Sequence, residues 1–384
     1  MMRWEAGNRI TLLRNGTEFF PALEASIEAA EHEIYIQTYI YEMDATGIRI
    51  GQALKRAAAR GVVVNLLLDG FGSRKLSPDY VLELEACGIN LMFYRPKISA
   101  WSFKRSRLRR LHRKVSVFDG QHGYVGGINI IDDMNVPGKL DAPRVDYAVR
   151  VEGPLVFALH ASVRNLWRRL AWLHLKQVPA HISLPAPIVI SNGIRAAFVV
   201  RDNVLHRRDI ERAYLKAIGK ARTEIIIASA YFVPGKKFRQ GLIEAAKRGV
   251  RVRLLLQGRM EYWLMFATHE VYSVFLRHGI EIYEYRASFM HSKVAVIDGR
   301  WATVGSSNID PFSLLLAREA NIMVQDKAFN QELKADLELA IAEKSVRVRP
   351  EDWSRRHVFK RLFSLGVYMA VRLMMGLIGH REKH

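Results

Sequence analysis

Residues 112–130 read HRKVSVFDGQHGYVGGINI, and residues 291–309 read HSKVAVIDGRWATVGSSNI. The two align without a gap, and ten of nineteen positions are identical, among them His, Lys, Asp and Asn. The echo extends outward. EIYIQTYIY at 33–41 answers EIIIASAYF at 224–232, RGVVVNLLLDG at 60–70 answers RGVRVRLLLQG at 248–258, and GINLMFY at 88–94 answers GIEIYEY at 279–285. Repetition over this length marks a duplicated unit.

Each copy runs from an amphipathic helix such as PALEASIEAAEH through a short β-branched run such as YIQTYIY to a second helix and a second apolar strand. Alternating helices and buried strands predict an α/β fold built as two tandem domains related by a pseudo-twofold, with the active site at their interface. The first domain is expected over 1–185 and the second over 190–345, because proline and small polar residues cluster in HISLPAPIVISNG at 181–193. Residues 346–384 read as a basic, amphipathic tail.

Composition limits the partners. With 384 residues, 49% hydrophobic and 25% charged, the chain is globular and long enough for two cores. The lone Cys87 allows no intrachain disulfide. Lys and Arg exceed Asp and Glu by 58 to 38, a net charge of +20 that favours a polyanionic partner. Nucleic acid and anionic lipid both qualify. The opening MMRWEAGNRITLLRNG has no apolar core of signal-peptide length, so the cytoplasm or its membrane is the expected location.

The motif has a physical reading. KVSVF alternates as a strand and Asp119-Gly120 is a hairpin signal, so His112 and Lys114 share a face and the returning strand brings Gly126, Gly127 and Asn129 beside them. The second copy does the same with His291, Lys293, Gly305, Ser306 and Asn308. Each half offers an imidazole, an ammonium, an amide and small residues that let a bulky anion approach. Asp119 lies seven strand residues from His112, roughly 20 Å at about 3.3 Å per residue, so it cannot orient that histidine. For Asp119 and Asp298 a hairpin-tying role outweighs a catalytic one on this reading. The orienting carboxylates are expected at Asp146 and Glu319, which begin the strand-like runs after each motif. No HExxH or other closely spaced ligand set appears, and neither a metal nor a cofactor is expected.

His, any residue, Lys, four residues, Asp, six residues, Gly and an Asn three later is a spacing that resembles the phospholipase D signature, and it occurs twice. The resemblance covers about residues 10–340. Together with IQTYIYEMDATG, LLLDGFGS, DYAVRVEGP and SSNIDPFSLLLAREANI it points to the bacterial cardiolipin synthases, particularly the short forms without membrane-spanning N-terminal helices. It implies a metal-independent ping-pong displacement at a phosphodiester. The catalytic set carried over comprises His112, Lys114, Asp119, His291, Lys293 and Asp298. Within it, His112 is the nucleophile and His291 the general acid and base. Lys114, Lys293, Asn129 and Asn308 hold the phosphate oxygens, with Gly127 and Ser306 also in the phosphate-binding set. The resemblance also supports Asp146 and Glu319 as orienting carboxylates. It implies phosphatidyl transfer, with phosphatidylglycerol as the expected donor. Phospholipase-type hydrolysis and a nuclease activity remain the alternatives, while a non-catalytic scaffold is disfavoured because both signatures are complete.

Two segments bear on the choice between lipid and nucleic acid, and the C-terminal one decides for lipid. The stretch from Gly88 to His112 is twice as long as that from Gly279 to His291, and the extra residues in PKISAWSFKRSRLRRLH set Trp101 and Phe103 among basic residues. Such a segment suits an anionic membrane interface, and it also suits single-stranded nucleic acid. From Arg355 the chain runs RRHVFKRLFSLGVYMAVRLMMGLIGHREKH, apolar from Leu362 to Gly379 except at Arg372. That is marginal against the about 20 apolar residues a span needs, and it reads as a helix in the interface or one docked on the protein's own core. Trp101, Phe103 and Arg372 are therefore the expected membrane contacts. Phospholipid substrates and an anionic membrane surface are the expected partners, without nucleic acid. The expected place is peripheral, on the cytoplasmic face of a bacterial inner membrane.

Overall fold

The computed structural model describes residues 2–95, 109–138, 142–176, 182, 184–202, 205–259, 271–310 and 317–351. Trp101, Phe103, Arg372 and nearly all of the expected tail lie outside the described residues.

The first half comprises β1 (Glu5–Arg14), α1 (Asn15–Ala29), β2 (Glu33–Thr38), α2 (Ala45–Ala59), β3 (Val63–Asp69), α3 (Pro78–Ala86), β4 (Asn90–Tyr94), β5 (Arg110–Leu111), β6 (Lys114–Phe118), β7 (His122–Gly126), β8 (Tyr147–Glu152) and α4 (Leu155–Leu173). The second comprises β9 (Ile194–Arg201), α5 (Asp209–Lys220), β10 (Glu224–Ser229), α6 (Lys236–Lys247), β11 (Arg251–Gln257), β12 (Glu281–Tyr285), β13 (Lys293–Ile297), β14 (Trp301–Gly305), β15 (Ala317–Gln325), α7 (Lys327–Lys344) and β16 (Ser345–Arg347). Local chemistry starts several of these helices. Asp44 accepts from Gly47 N at the head of α2, Ser77 from Tyr80 N at α3, and Asp326 from Phe329 N at α7.

Each half orders its strands alike, β1-β8-β7-β6-β2-β3-β4 and β9-β15-β14-β13-β10-β11-β12. β2, β3 and β4 run parallel, as do β10, β11 and β12, and their interior positions are almost wholly buried, as strands covered on both faces must be. The halves are joined through one path of strands, because β1 pairs with β9 at Glu5–Ala196 and Asn8–Ile194. A central hydrophobic cluster spans both, packing α4 residues such as Leu166 and Trp167 and α7 residues such as Leu333 against β1, β8, β14 and β15. Two outer clusters lie one in each half. The tail expected from residue 346 starts inside the sheet, since β16 pairs Ser345, Val346 and Arg347 with β12.

Candidate active site

The hairpin of each motif forms as its alternation predicts. Lys114 faces Gly126 across β6 and β7, and Val294 faces Val304 across β13 and β14. The turns are tight, with Asp119 and Asp298 both in the left-handed region at φ 49° and 52°. Asp119 accepts from the backbone N–H groups of Glu31, His32 and Glu33 at 2.7–2.9 Å. Asp298 accepts from those of Arg222, Thr223 and Glu224 and from the Thr223 hydroxyl at 2.8–3.0 Å. Their place in the catalytic set is therefore corrected. These carboxylates clamp each hairpin to the start of β2 or β10, at the end remote from the histidines.

At the other end of the hairpins the halves exchange backbone bonds. β5 runs parallel to β15, and His112 N donates to Arg318 O at 3.0 Å. Reciprocally, Val145 bridges Met290 and His291 N donates to Val145 O at 2.7 Å. Each histidine thus sits beside the strand of the opposite half. Its carboxylate comes from that half too: His112 Nδ1 lies 3.0 and 3.1 Å from the two Glu319 oxygens, and His291 Nδ1 lies 2.7 Å from Asp146 Oδ2. Bonding through Nδ1 leaves Nε2 of each ring free of these carboxylates.

The small residues of the motif make room for these carboxylates. A Cβ on Gly127 would fall 2.3 Å from Asp146 Oδ1, and the Ser306 hydroxyl donates to Glu319. Gly127 N and Ser306 N are bonded to Tyr147 O and Ala320 O. Gly127 and Ser306, expected in the phosphate-binding set, thus have their N–H and O–H groups engaged within the protein and border Asp146 and Glu319. The asparagines keep a free atom. Asn129 Oδ1 accepts from Ile40 N at 3.0 Å while its Nδ2 has no partner among the described residues, and neither has Asn308 Oδ1. The Nζ atoms of Lys114 and Lys293 fold back to the carbonyls of His112 and His291.

The two histidine–carboxylate pairs differ electrostatically. Glu319 is fully buried and faces Arg201, itself 1% exposed, at 3.2 Å across β9 and β15. Burial raises the Glu319 carboxyl, but His112, Arg201 and Lys114 outweigh it and hold the group below its ordinary range. Opposite Asp146 stands Asn15, whose Oδ1 accepts from Asp146 N at 3.1 Å. Burial pushes Asp146 up to about 6 against the pull of Lys293. Crowded cations and burial also depress the bases. His112 falls to about 4 through burial, opposed by Glu319, and His291 falls well below its ordinary value through burial and the neighbouring Lys293. Lys114 and Lys293 fall to about 7 and about 8, chiefly by burial. Such a centre is short of negative charge, and an anion placed between the lysines raises the depressed histidines and lysines again.

Three participants were not legible beforehand. Arg201 ends an apolar strand, and the signal available was a cation at an inward position of that strand. Tyr39 packs its ring 4.9 Å from that of His112 and lies 5.4 Å from Lys114 Nζ. Asp69 accepts from Leu111 N at 2.7 Å and anchors β5 to the end of β3.

A duplicated α/β protein whose carboxylate-backed histidines meet between the copies is the class that fold and site define. A family described as "Cardiolipin synthase, PLD-like domain" matches residues 23–137 and 214–340. Cardiolipin synthase B of Escherichia coli is 37% identical over 99% of this chain and 92% of its own length. Cardiolipin synthase A of Pseudomonas aeruginosa is 34% identical over 95% and 72%. The crystal structure of phosphatidylserine synthase from Haemophilus influenzae aligns with a TM-score of 0.67 over 97% of both chains at 13% identity, a likeness of fold. The chain belongs to the cardiolipin synthase family of phospholipase D-like proteins.

Proposed function

We propose that the protein is a cardiolipin synthase-like phosphatidyltransferase, moving a phosphatidyl group from phosphatidylglycerol to the hydroxyl of a second phospholipid through a phosphohistidine on His112. The observation that carries this reading is the crossed pair of imidazoles, each backed at Nδ1 by a carboxylate and accompanied by a lysine.

Displacement at phosphorus needs the entering and departing groups roughly in line. His112 Nε2 attacks phosphorus and forms the P–N bond as the bond to the glycerol oxygen breaks, and His291 gives its Nε2 proton to that oxygen. A lipid hydroxyl then gives its proton to His291 and attacks phosphorus, and the P–N bond breaks to restore His112. Glu319 and Asp146 hold the rings in the required tautomer and offset the imidazolium charge. Lys114, Lys293 and the amide N–H groups of Asn129 and Asn308 donate to the phosphate oxygens, where charge builds in the transition state. The diester anion itself raises the basicity of His291, which supplies the proton that the unliganded centre disfavours.

A peripheral site on the cytoplasmic face of a bacterial inner membrane fits this chemistry. The net charge of +20 is attracted to anionic lipid, and no helix among the described residues is long and apolar enough to cross a membrane. The test is incubation with phosphatidylglycerol vesicles and mass spectrometry of the products. Cardiolipin and glycerol are expected to exceed phosphatidic acid, and His112→Ala and His291→Ala each to abolish both. Dominant phosphatidic acid at saturating lipid makes the protein a phospholipase. Cleavage of single-stranded DNA with lipids untouched makes it a nuclease.

A further inference from the structure

The two rims of the centre are not copies of each other. Positions 110 and 317 face each other across β5 and β15, and the Val145–Met290 bridge, with Val145 N donating to Phe289 O at 3.0 Å, makes 144 and 289 the equivalent neighbours. The first pair is Arg110 with Ala317, and the second is Arg144 with Phe289. On the His291 side the arginine therefore comes from the strand that carries Asp146.

Arg144 is 6% exposed. Its guanidinium lies 5.4 Å from the Phe289 ring, which in turn lies 5.9 Å from the His291 ring. Nη2 donates to Asn135 O at 2.8 Å, whereas Nε is buried without a partner, and Arg144 forms no ion pair with the described residues. Asp146, Asp133, Tyr231 and Asp44 all bear on it, yet burial outweighs them and lowers its basicity. A buried guanidinium with donors to spare lacks an anion, and its planar fork is built to take a phosphate.

We propose that Arg144 is the subsite for a second phosphate, the one carried by the acceptor lipid three carbons from its attacking hydroxyl. This rests on the transferase reading above. In-line displacement from His112 brings the acceptor in on the His291 side, where Arg144 stands. Arg144 and Asp146 are two residues apart on extended chain, so they share a face, with about 7 Å between them along the backbone. Water and neutral alcohols carry nothing for Arg144 to hold, so the subsite favours an anionic lipid hydroxyl over both.

The experiment offers phosphatidylglycerol vesicles two soluble acceptors, glycerol and glycerophosphoglycerol, and measures kcat/KM for phosphatidyl transfer to each. Wild type is expected to prefer the anionic acceptor. Arg144→Gln should lower that ratio by about tenfold or more, mainly through KM, and Arg144→Lys should fall between. Arg212→Gln, which removes the same charge from an exposed position on α5, should leave the ratio unchanged. An unchanged ratio in Arg144→Gln, with both acceptors used, overturns the subsite. Failure of wild type to transfer to either acceptor overturns the transferase reading instead. If Arg144→Gln does not fold, wild type alone decides: propane-1,3-diol bisphosphate should inhibit more tightly than the equally charged hexane-1,6-diol bisphosphate, and equal inhibition refutes the proposal.

Discussion

Glu319→Gln and Asp146→Asn together test whether each carboxylate serves the histidine of the opposite half. Glu319 is fully buried and faces His112, the Ser306 hydroxyl and Arg201. An amide there leaves the buried Arg201 cation without its ion-pair partner, with Asp310 and Glu211 acting on it only through space, a loss of about 3–5 kcal/mol. Asp146 has no arginine opposite but does pair with the buried Lys293 at 3.9 Å, so its amide variant loses that pair and the charge-assisted bond to His291 Nδ1, at about 1–3 kcal/mol, while its Oδ1 can still accept from Tyr147 N. Either change should lower turnover of lipid on the order of 10⁴-fold, as loss of the carboxylate behind a catalytic histidine does elsewhere. The two are separated by single-turnover cleavage of a phosphodiester with a nitrophenyl leaving group, which departs without a proton. General acid catalysis is worth about 10²–10⁴-fold, and that much should return in Asp146→Asn and His291→Ala. Glu319→Gln and His112→Ala should stay inactive, because attack on phosphorus is what they lack. Adding Arg201→Met to Glu319→Gln removes both charges and should recover stability without recovering cleavage. Grouping of Glu319→Gln with His291→Ala would refute the crossed pairing.

Three further outcomes are expected. Asp119→Ala should cost about 1–2 kcal/mol by chemical denaturation, the scale of a lost helix cap, while the folded protein keeps wild-type transfer; loss of turnover without loss of stability would return Asp119 to the centre. Gly127→Ala should suppress turnover by driving a methyl into Asp146, with about 1–3 kcal/mol of overpacking seen in thermal unfolding, and wild-type activity would mean that Asp146 does not orient His291. Dimethyl phosphate, whose charge is constant over this range, should bind with proton uptake, because an anion raises the depressed Lys114 and Lys293. Its affinity should therefore fall between pH 7 and 9 by up to about tenfold per pH unit per proton, and a flat calorimetric profile would count against that.

Much was determined by the sequence alone. The duplication, the α/β order of elements and the hairpin of each motif are local properties, set by alternation, turn residues and a repeated spacing. Even the removal of Asp119 from its own histidine followed from strand rise. What only tertiary structure decided is pairing across the halves. Nothing in DYAVRVEGP or LAREANI says which imidazole its carboxylate meets, because that depends on β5 lying along β15 and Val145 along Met290, contacts between residues far apart in the chain. The same applies to Gly127 and Ser306. As motif letters they read as space for a phosphate, and in three dimensions that space is taken by Asp146 and Glu319. Arg201 and Arg144 were silent for the same reason: a buried cation has meaning only through the charge it faces, and the chain brings that charge from more than a hundred residues away in the one case and leaves it to a ligand in the other.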